Sequence, residues 1–281
     1  GEYVSMSSGS SGRQVSVLCD QAERAARLAV TWRGDSFPGA PGGRLNPWSS
    51  TVALWGFSSL ALDRQNPRRR LASWAQNRTY FDCLVMTPEK ARFIHRELRQ
   101  LKPQRITGYV HALALFSRLA LELGLPRIQT QKLIPSAEWL DPQSRGLIEQ
   151  MFNAPIRERY GCREAGDIAH QCEYGVWHIN ADHLHLEVQR ADGRITRAGS
   201  GRLLVTKLNN RAMPLVRYDI EDIATLGGPP CICGRALPVM TELSGRITSH
   251  FVLPDGTLLS QFTATIPFHH VPVREWQVRQ E

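Results

Sequence analysis

The spacing of apolar positions changes period several times along the chain. In RQVSVLCDQAERAARLAVTWRG (residues 13–34), Val15 and Val17 alternate with polar residues, and apolar positions then fall at helical spacing through Ala25, Ala26 and Leu28. That pattern predicts a loop, a short strand and a helix. Residues 35–47 are rich in Gly and Pro and predict an exposed loop with fixed turns, expected to border the site. Thr87 followed by Pro88 predicts an N-cap and first turn for a basic amphipathic helix over 88–102. RITGYV then predicts a strand and turn, and HALALFSRLALELGLP a helix stopped by Gly124 and Pro126. IQTQKLIPSAEWL reads as strand and loop, DPQSRGLIEQMF as a helix capped by Asp141, and PIRERYGCREAG as strand and loop. Strands alternating with helices imply a parallel sheet. After about residue 165 the runs shorten and alternate, as in HLHLEVQR and GRLLVTKL, which predicts antiparallel strands with ADGR and PDGT as hairpin tips.

Composition narrows the class. The 281 residues are 42% hydrophobic, enough to fill the core of one large domain or two ordinary ones. No apolar run approaches the roughly 20 residues of a membrane span, and no basic-then-apolar leader opens the sequence, so a cytoplasmic protein without membrane contact is expected. The net charge of +8 favours an anionic ligand. Part of that excess sits in clusters such as Arg68-Arg69-Arg70 with no nucleic-acid-binding motif beside them, so nucleotide phosphate is preferred to nucleic acid.

The six cysteines lack the density of a disulfide-stapled domain. Cys172 with His178, and Cys231 with Cys233 before Gly234, form two ligand pairs that read as a closed tetrahedral zinc site, with His170 as a substitute ligand. The competing reading is buried free thiols and a surface histidine. Cys162 has no His/Asp arrangement to make it a nucleophile.

The tract SSGSSGRQ (residues 7–14) could be a flexible linker or a loop whose N–H and O–H groups hold phosphate. It lacks the Gly-Lys-Ser/Thr ending of a P-loop. Downstream lie SAEWL from Ser136, YGCREAG from Tyr160, NRAMPLVRYDIEDIA from Asn210 and SGRITS from Ser244. Together and in this order the motifs resemble the adenylate-forming superfamily, within it the phenylacetate-CoA ligase and capsular-polysaccharide CapK-like branch. The resemblance implies an α/β fold, the large N-terminal domain of an adenylate-forming enzyme, with mixed or parallel sheets flanked by helices and a β-rich, distorted-barrel subdomain. On that reading residues 1–165 form the nucleotide- and acid-binding subdomain, 166–250 the β-rich subdomain with the zinc site, and 251–281 the start of a truncated C-terminal lid.

The chemistry so implied is activation of a carboxylic acid by ATP as an acyl-adenylate, with transfer to CoA or another acceptor. Ser7, Ser8, Gly9, Ser10, Ser11 and Gly12 would cradle the β- and γ-phosphates, and Glu164 would hold Mg²⁺. Tyr160 and Gly161 would border adenine opposite Ser136, Ala137 and Glu138. Asp222 would accept the ribose hydroxyls, and Arg246 would assist at ribose or phosphate. Tyr109 and His111 are the expected acid-binding residues, with Trp32 and Trp48 as further candidates, which points to an aryl or compact apolar acid. Some members of that branch carry a similar Cys/His set, which favours Cys172, His178, Cys231 and Cys233 as the zinc ligands.

Several positions depart from the family pattern. Arg13 and Gln14 stand for the usual Lys-Pro, Arg163 for Thr or Ser, and Ile247-Thr248-Ser249 for the acidic hinge after Gly-Arg. VREWQVRQE resembles only the first strand of the lid, whose lysine is missing, so a fragment or trimmed core is expected. These departures keep two alternatives open: a catalytically impaired, zinc-stabilised scaffold of the same fold, and AMP transfer to a cofactor.

Overall fold

The computed structural model describes residues 3–6, 15–55, 71, 73–83, 85–246, 250–252 and 258–260. Across its main sheet lie β13 (Ile195–Thr196), β12 (Leu184–Gln189), β14 (Gly199–Lys207), β15 (Tyr218–Leu226), β16 (Val239–Arg246), β11 (Trp177–Ile179), β10 (Gly166–Gln171), β9 (Arg159–Cys162), β7 (Lys132–Ser136), β5 (Arg105–Tyr109), β3 (Thr51–Trp55) and β4 (Arg78–Asp82). From β4 to β7 the pairing is parallel, with Gly108 facing Leu54 on one side and Pro135 on the other. β9 joins β7 by the parallel pair Ser136 and Arg159, and β10 then pairs antiparallel with β9. The sheet thus changes sense close to residue 165, where the sequence pattern changes, and it continues across that point. This is the expected α/β class, a large mixed sheet flanked by helices.

Four helices carry the layers: α1 (Gln21–Asp35), α2 (Pro88–Leu101), α3 (Val110–Glu122) and α4 (Pro142–Met151). Their starts are set by local chemistry. Thr87 accepts from the Lys90 amide, Asp141 from that of Ser144, and Asp20 from that of Glu23, each satisfying a donor the helix leaves open. The apolar faces of α2, α3 and α4 bury Ile94, Leu98, Leu113, Phe116, Ile148 and Met151 with Leu54, Ile106 and Leu133 of the parallel strands. A second core, with Ile168, Val188, Leu203 and Met240, lies among the antiparallel strands. Beyond the main sheet, β1 (Tyr3–Met6) pairs with β2 (Ser16–Cys19), β6 (Ile128–Gln129) with β8 (Phe152–Asn153), and β17 (His250–Val252) with β18 (Leu258–Ser260). The expected lid strand and the segment Ile247-Thr248-Ser249 lie outside the described residues. No described helix is long and apolar enough to cross a membrane.

The Gly/Pro loop after α1 sits elsewhere than expected. Lys132 and Arg105 open their strands, and their buried cations donate to this loop: Lys132 Nζ to the carbonyls of Gly34 and Phe37, at 3.0 and 2.8 Å, and Arg105 to those of Asn46 and Ser49, at 3.1 and 2.8 Å. Strand-starting cations need carbonyl partners once buried, and the loop supplies them at the amino edge of the parallel strands. Trp32 and Trp48 pack on each other there, ring centroids 5.5 Å apart, away from Tyr109 at the carboxyl end of β5.

The end of α1 is fitted closely to the sheet. A Cβ placed on Gly34 would lie 2.2 Å from Cδ2 of the buried His170. Gly34→Ala is therefore expected to destabilise the fold by about 1–3 kcal/mol in urea denaturation, outweighing alanine's helix preference. Lys132 generates a second expectation. Burial, the dominant cause, lowers its pKa from 10.5 to about 7 despite the nearby Asp35 carboxylate. Between about pH 7 and 10 the unfolded chain then binds more protons than the folded one, so stability rises with pH through that window. Denaturation series at pH 7, 8 and 9 should show that rise in the wild type and a flatter profile in Lys132→Met.

Candidate active site

The carboxyl ends of parallel strands are where an α/β sheet offers a crevice. β5 ends there in Tyr109 and β7 in Ser136. Because Arg159 at the start of β9 pairs with Ser136 at the end of β7, β9 runs on beyond this edge. Tyr160, Gly161 and the turn to Gly166 are carried over it. Gly161 is required at its place: a Cβ there would lie 2.4 Å from the Gly166 carbonyl oxygen.

Two carboxylates meet this turn, each with a phenol near it. The Tyr160 hydroxyl donates to Oδ2 of the buried Asp222 at 2.5 Å. Asp222 lies on β15 opposite Arg246 of β16, which brings the two predicted residues into one cross-strand pair. The Glu164 carboxylate lies near the Tyr218 phenol and the Cys162 thiol, close enough for its charge to act on both. Burial first, and the Glu164 charge next, push the Tyr218 phenol and the Cys162 thiol each up to about 12. Cys162 therefore stays a thiol at neutral pH and is no nucleophile.

The predicted phosphate tract, Ser7, Ser8, Gly9, Ser10, Ser11 and Gly12, lies outside the described residues, but the strands that it joins do not. β1 and β2 form a hairpin with Met6 opposite Ser16. Its stem is docked at the start of β15, where Val17 and Cys19 pack with Leu215 and Tyr218, the tyrosine near Glu164. Asn210 secures it by donating to the Leu18 carbonyl at 2.8 Å, and Asp20 accepts from the Arg211 amide at 3.0 Å.

The remaining predicted residues divide. Ser136 ends β7 with its hydroxyl 3.4 Å from the Arg159 carbonyl, and Ala137 follows in the left-handed region at φ 71°. Glu138 accepts from the His111 amide at 2.7 Å and so caps α3, whose N-cap residue Tyr109 supplies no side-chain bond. The His111 side chain is exposed. Tyr109 stacks on Trp55, centroids 4.4 Å apart, and is hydrogen-bonded to Arg163. Trp55 is thus the aromatic neighbour of Tyr109, in place of the expected Trp32 and Trp48. Its position as last residue of β3 was the available signal.

At the opposite end of β10 a second cluster forms. Ligand atoms of Cys172, His178, Cys231 and Cys233 all lie within 4.8 Å of one another, a set that could hold a metal ion. The Cys172 and Cys231 sulfurs are 3.7 Å apart, and Cys233 Sγ is 3.2 Å from His178 Nε2. Ligands on a tetrahedral ion with bonds near 2.3 Å stand about 3.8 Å apart, so the donor set fits. His170 is outside this set: its ring meets Asp167 at 3.4 Å and the Asn180 amide at 3.3 Å.

No protein-family model matches the chain. Protein CapK of Staphylococcus aureus is 27% identical over 139 residues, which are 49% of this chain and 30% of CapK. Among solved structures, an open conformation of 2-hydroxyisobutyryl-CoA ligase in complex with 2-HIB-AMP and CoA superposes with a TM-score of 0.67 at 18% identity, covering 92% of this chain and 60% of the ligase. ATP-bound MatB from Rhodopseudomonas palustris gives 0.56 at 10% identity over 92% and 50% of the two chains. Amide bond synthetase McbA from Marinactinospora thermotolerans gives 0.55 at 13% over 96% and 54%. The chain thus spans about a third of CapK and between half and three-fifths of the ligase structures. Its fold is therefore the one these solved structures share over the covered residues, and its sequence is 27% identical to CapK over 139 residues.

Proposed function

We propose that this chain is the large domain of an ATP-dependent, carboxylate-activating ligase. The observation that carries the reading is the convergence, at the carboxyl edge of the sheet, of Glu164 with Tyr218 and of Asp222 with Tyr160, beside the hairpin that bears the Gly/Ser tract. The solved relatives support it: 2-hydroxyisobutyryl-CoA ligase is in complex with 2-HIB-AMP and CoA, and MatB is ATP-bound. In the proposed reaction a carboxylate oxygen of the acid attacks the α-phosphorus of ATP. The bond from that phosphorus to the bridging oxygen breaks, and pyrophosphate leaves.

Residues 7–12 would present N–H and O–H donors to the β- and γ-phosphates, where leaving-group charge develops. Glu164 offers the hard carboxylate oxygen that Mg²⁺ prefers. Bound there with ATP, the cation would offset phosphate charge. Asp222 would accept the ribose hydroxyls, Tyr160 orienting it, and Arg246 would serve ribose or phosphate. Gly161 and residues 136–138 would line adenine; within that wall Glu138 also keeps its place as the cap of α3. Tyr109 with Trp55, and His111, would border an aryl or compact apolar acid, and CoA is the proposed acceptor. Zn²⁺ would be held by Cys172, His178, Cys231 and Cys233 as a closed structural ion that pins β10 and β11 to the loop before β16 and takes no part in the chemistry.

Pyrophosphate release from the full-length protein across a panel of aryl and aliphatic acids tests the reading. Glu164→Gln is expected to lower release by about a hundredfold or more while retaining one zinc per chain by elemental analysis. Cys233→Ser is expected to show the converse first effect, loss of zinc with a lowered melting temperature. Wild-type release by Glu164→Gln would exclude the assigned role of that carboxylate.

A further inference from the structure

Behind the candidate active turn lies a group of buried charges that nothing in the motifs announces. Arg27 of α1 donates from Nη1 to the Arg163 carbonyl at 2.9 Å and from Nη2 to the Glu164 carbonyl at 2.8 Å. Lys207, at the end of β14, also donates to the Glu164 carbonyl, at 3.1 Å. Nε2 of His183 lies 3.2 Å from the Ala165 carbonyl and donates to it, leaving Nδ1 to accept from the Asn209 amide at 3.4 Å. Three consecutive carbonyls are thus each gripped by a side chain from a different part of the chain, and that of Glu164 is gripped twice. Glu23, one turn before Arg27, joins the cations: its Oε1 accepts from Arg27 Nε at 2.6 Å and pairs with Lys207. The Glu23 and Lys207 side chains are fully buried.

Such a pair is a poor device for stability alone, because an apolar pair of similar volume often serves the fold as well or better. Its donors are spent on the backbone of one turn, and fixing a backbone carbonyl fixes where the attached side chain starts. We infer that Glu23, Arg27, His183 and Lys207 are positioning residues that hold the backbone of residues 163–165 so that the Glu164 carboxylate is preset for a divalent cation bound with ATP. This rests on the reading of Glu164 given above. Groups that orient a metal ligand without touching the metal typically govern affinity by 10–100-fold.

The test is Mn²⁺ binding to the full-length protein with ATP present, followed by electron paramagnetic resonance, beside ATP binding without metal. The double variant Glu23→Gln/Lys207→Met removes both buried charges at nearly constant volume. It is expected to weaken Mn²⁺ binding by about tenfold while metal-free ATP affinity stays within about twofold. Arg27→Lys keeps the charge and loses the two-carbonyl grip, and is expected to weaken Mn²⁺ binding in the same direction; it decides the matter if the double variant does not fold. Glu164→Gln is the reference. If it weakens Mn²⁺ binding while the folded variants of the buried group bind Mn²⁺ as the wild type does, the inference is overturned and the reading of Glu164 survives. If Glu164→Gln itself binds Mn²⁺ normally, both the reading and the preset-site inference fail.

Discussion

Two backbone stretches touch where the sheet changes sense, and that contact constrains the rest. Across the β9–β10 turn Gly161 lies opposite Asp167, with the Gly166 carbonyl leaving no room for a Cβ on Gly161, and Gly166 takes φ +83°. A side chain on Gly161 would push the strands apart, and one on Gly166 would strain the backbone. Parallel pairing brings the carboxyl ends of β3, β5 and β7 to one edge, and antiparallel pairing from β10 onward brings β15 and β16 beside it. Only a tight turn between the two regimes lets Tyr160 reach Asp222 while Glu164 reaches Tyr218.

α1 connects this turn to the metal-ligand cluster. Its first turns carry Glu23 and Arg27 to the turn at 163–166, and its last turn sets Gly34 against His170. Fifteen residues of helix span about 22 Å, comparable with the six residues of β10 plus the turns at its ends. Just past the helix, Phe37 lies edge-on to His178 and His170, centroids 6.1 and 6.3 Å away, with the Arg235 guanidinium 4.2 Å over its ring. Displacing the cluster would move Phe37, and with it the carbonyls that partner Lys132. The Cys/His cluster and the candidate site are thus two ends of one strut.

What the sequence disclosed follows the range of the interactions involved. The caps of α2 and α4 at Thr87 and Asp141 are contacts three residues long, so residue type and spacing announce them. The two ligand pairs were legible because their spacing is local, whereas His170 and His178 are cross-strand partners on one face, and only the folded positions show which ring reaches the cysteine sulfurs. The buried group at Glu23, Arg27 and Lys207 was illegible: in one dimension Glu23 and Arg27 look like a solvated helical ion pair, and only folding brings β14 against them. The placing of residues 35–47 and of Trp48 failed for a similar reason. A Gly/Pro loop advertises exposure, but which edge of the sheet it covers was decided by Arg105 and Lys132, more than fifty residues further on.

The choice of phenols as partners for the two carboxylates has a physical consequence. A guanidinium beside Glu164 would orient the carboxylate equally well, but it would also offset the charge and repel an incoming cation. A tyrosine hydroxyl is a neutral donor, and with its pKa raised to about 12 Tyr218 keeps its proton at any physiological pH. Beside Glu164 it leaves the negative charge in place. Asp222 has about four acceptor sites, and the Tyr160 hydroxyl takes one, so the carboxylate is oriented without being used up. Arg27 and Lys207 lie behind the turn, on the carbonyls of Arg163 and Glu164, where they act on its geometry. Under the proposed reading the site would take a polyphosphate with a divalent cation, and such a site requires carboxylates that are held still and remain anionic.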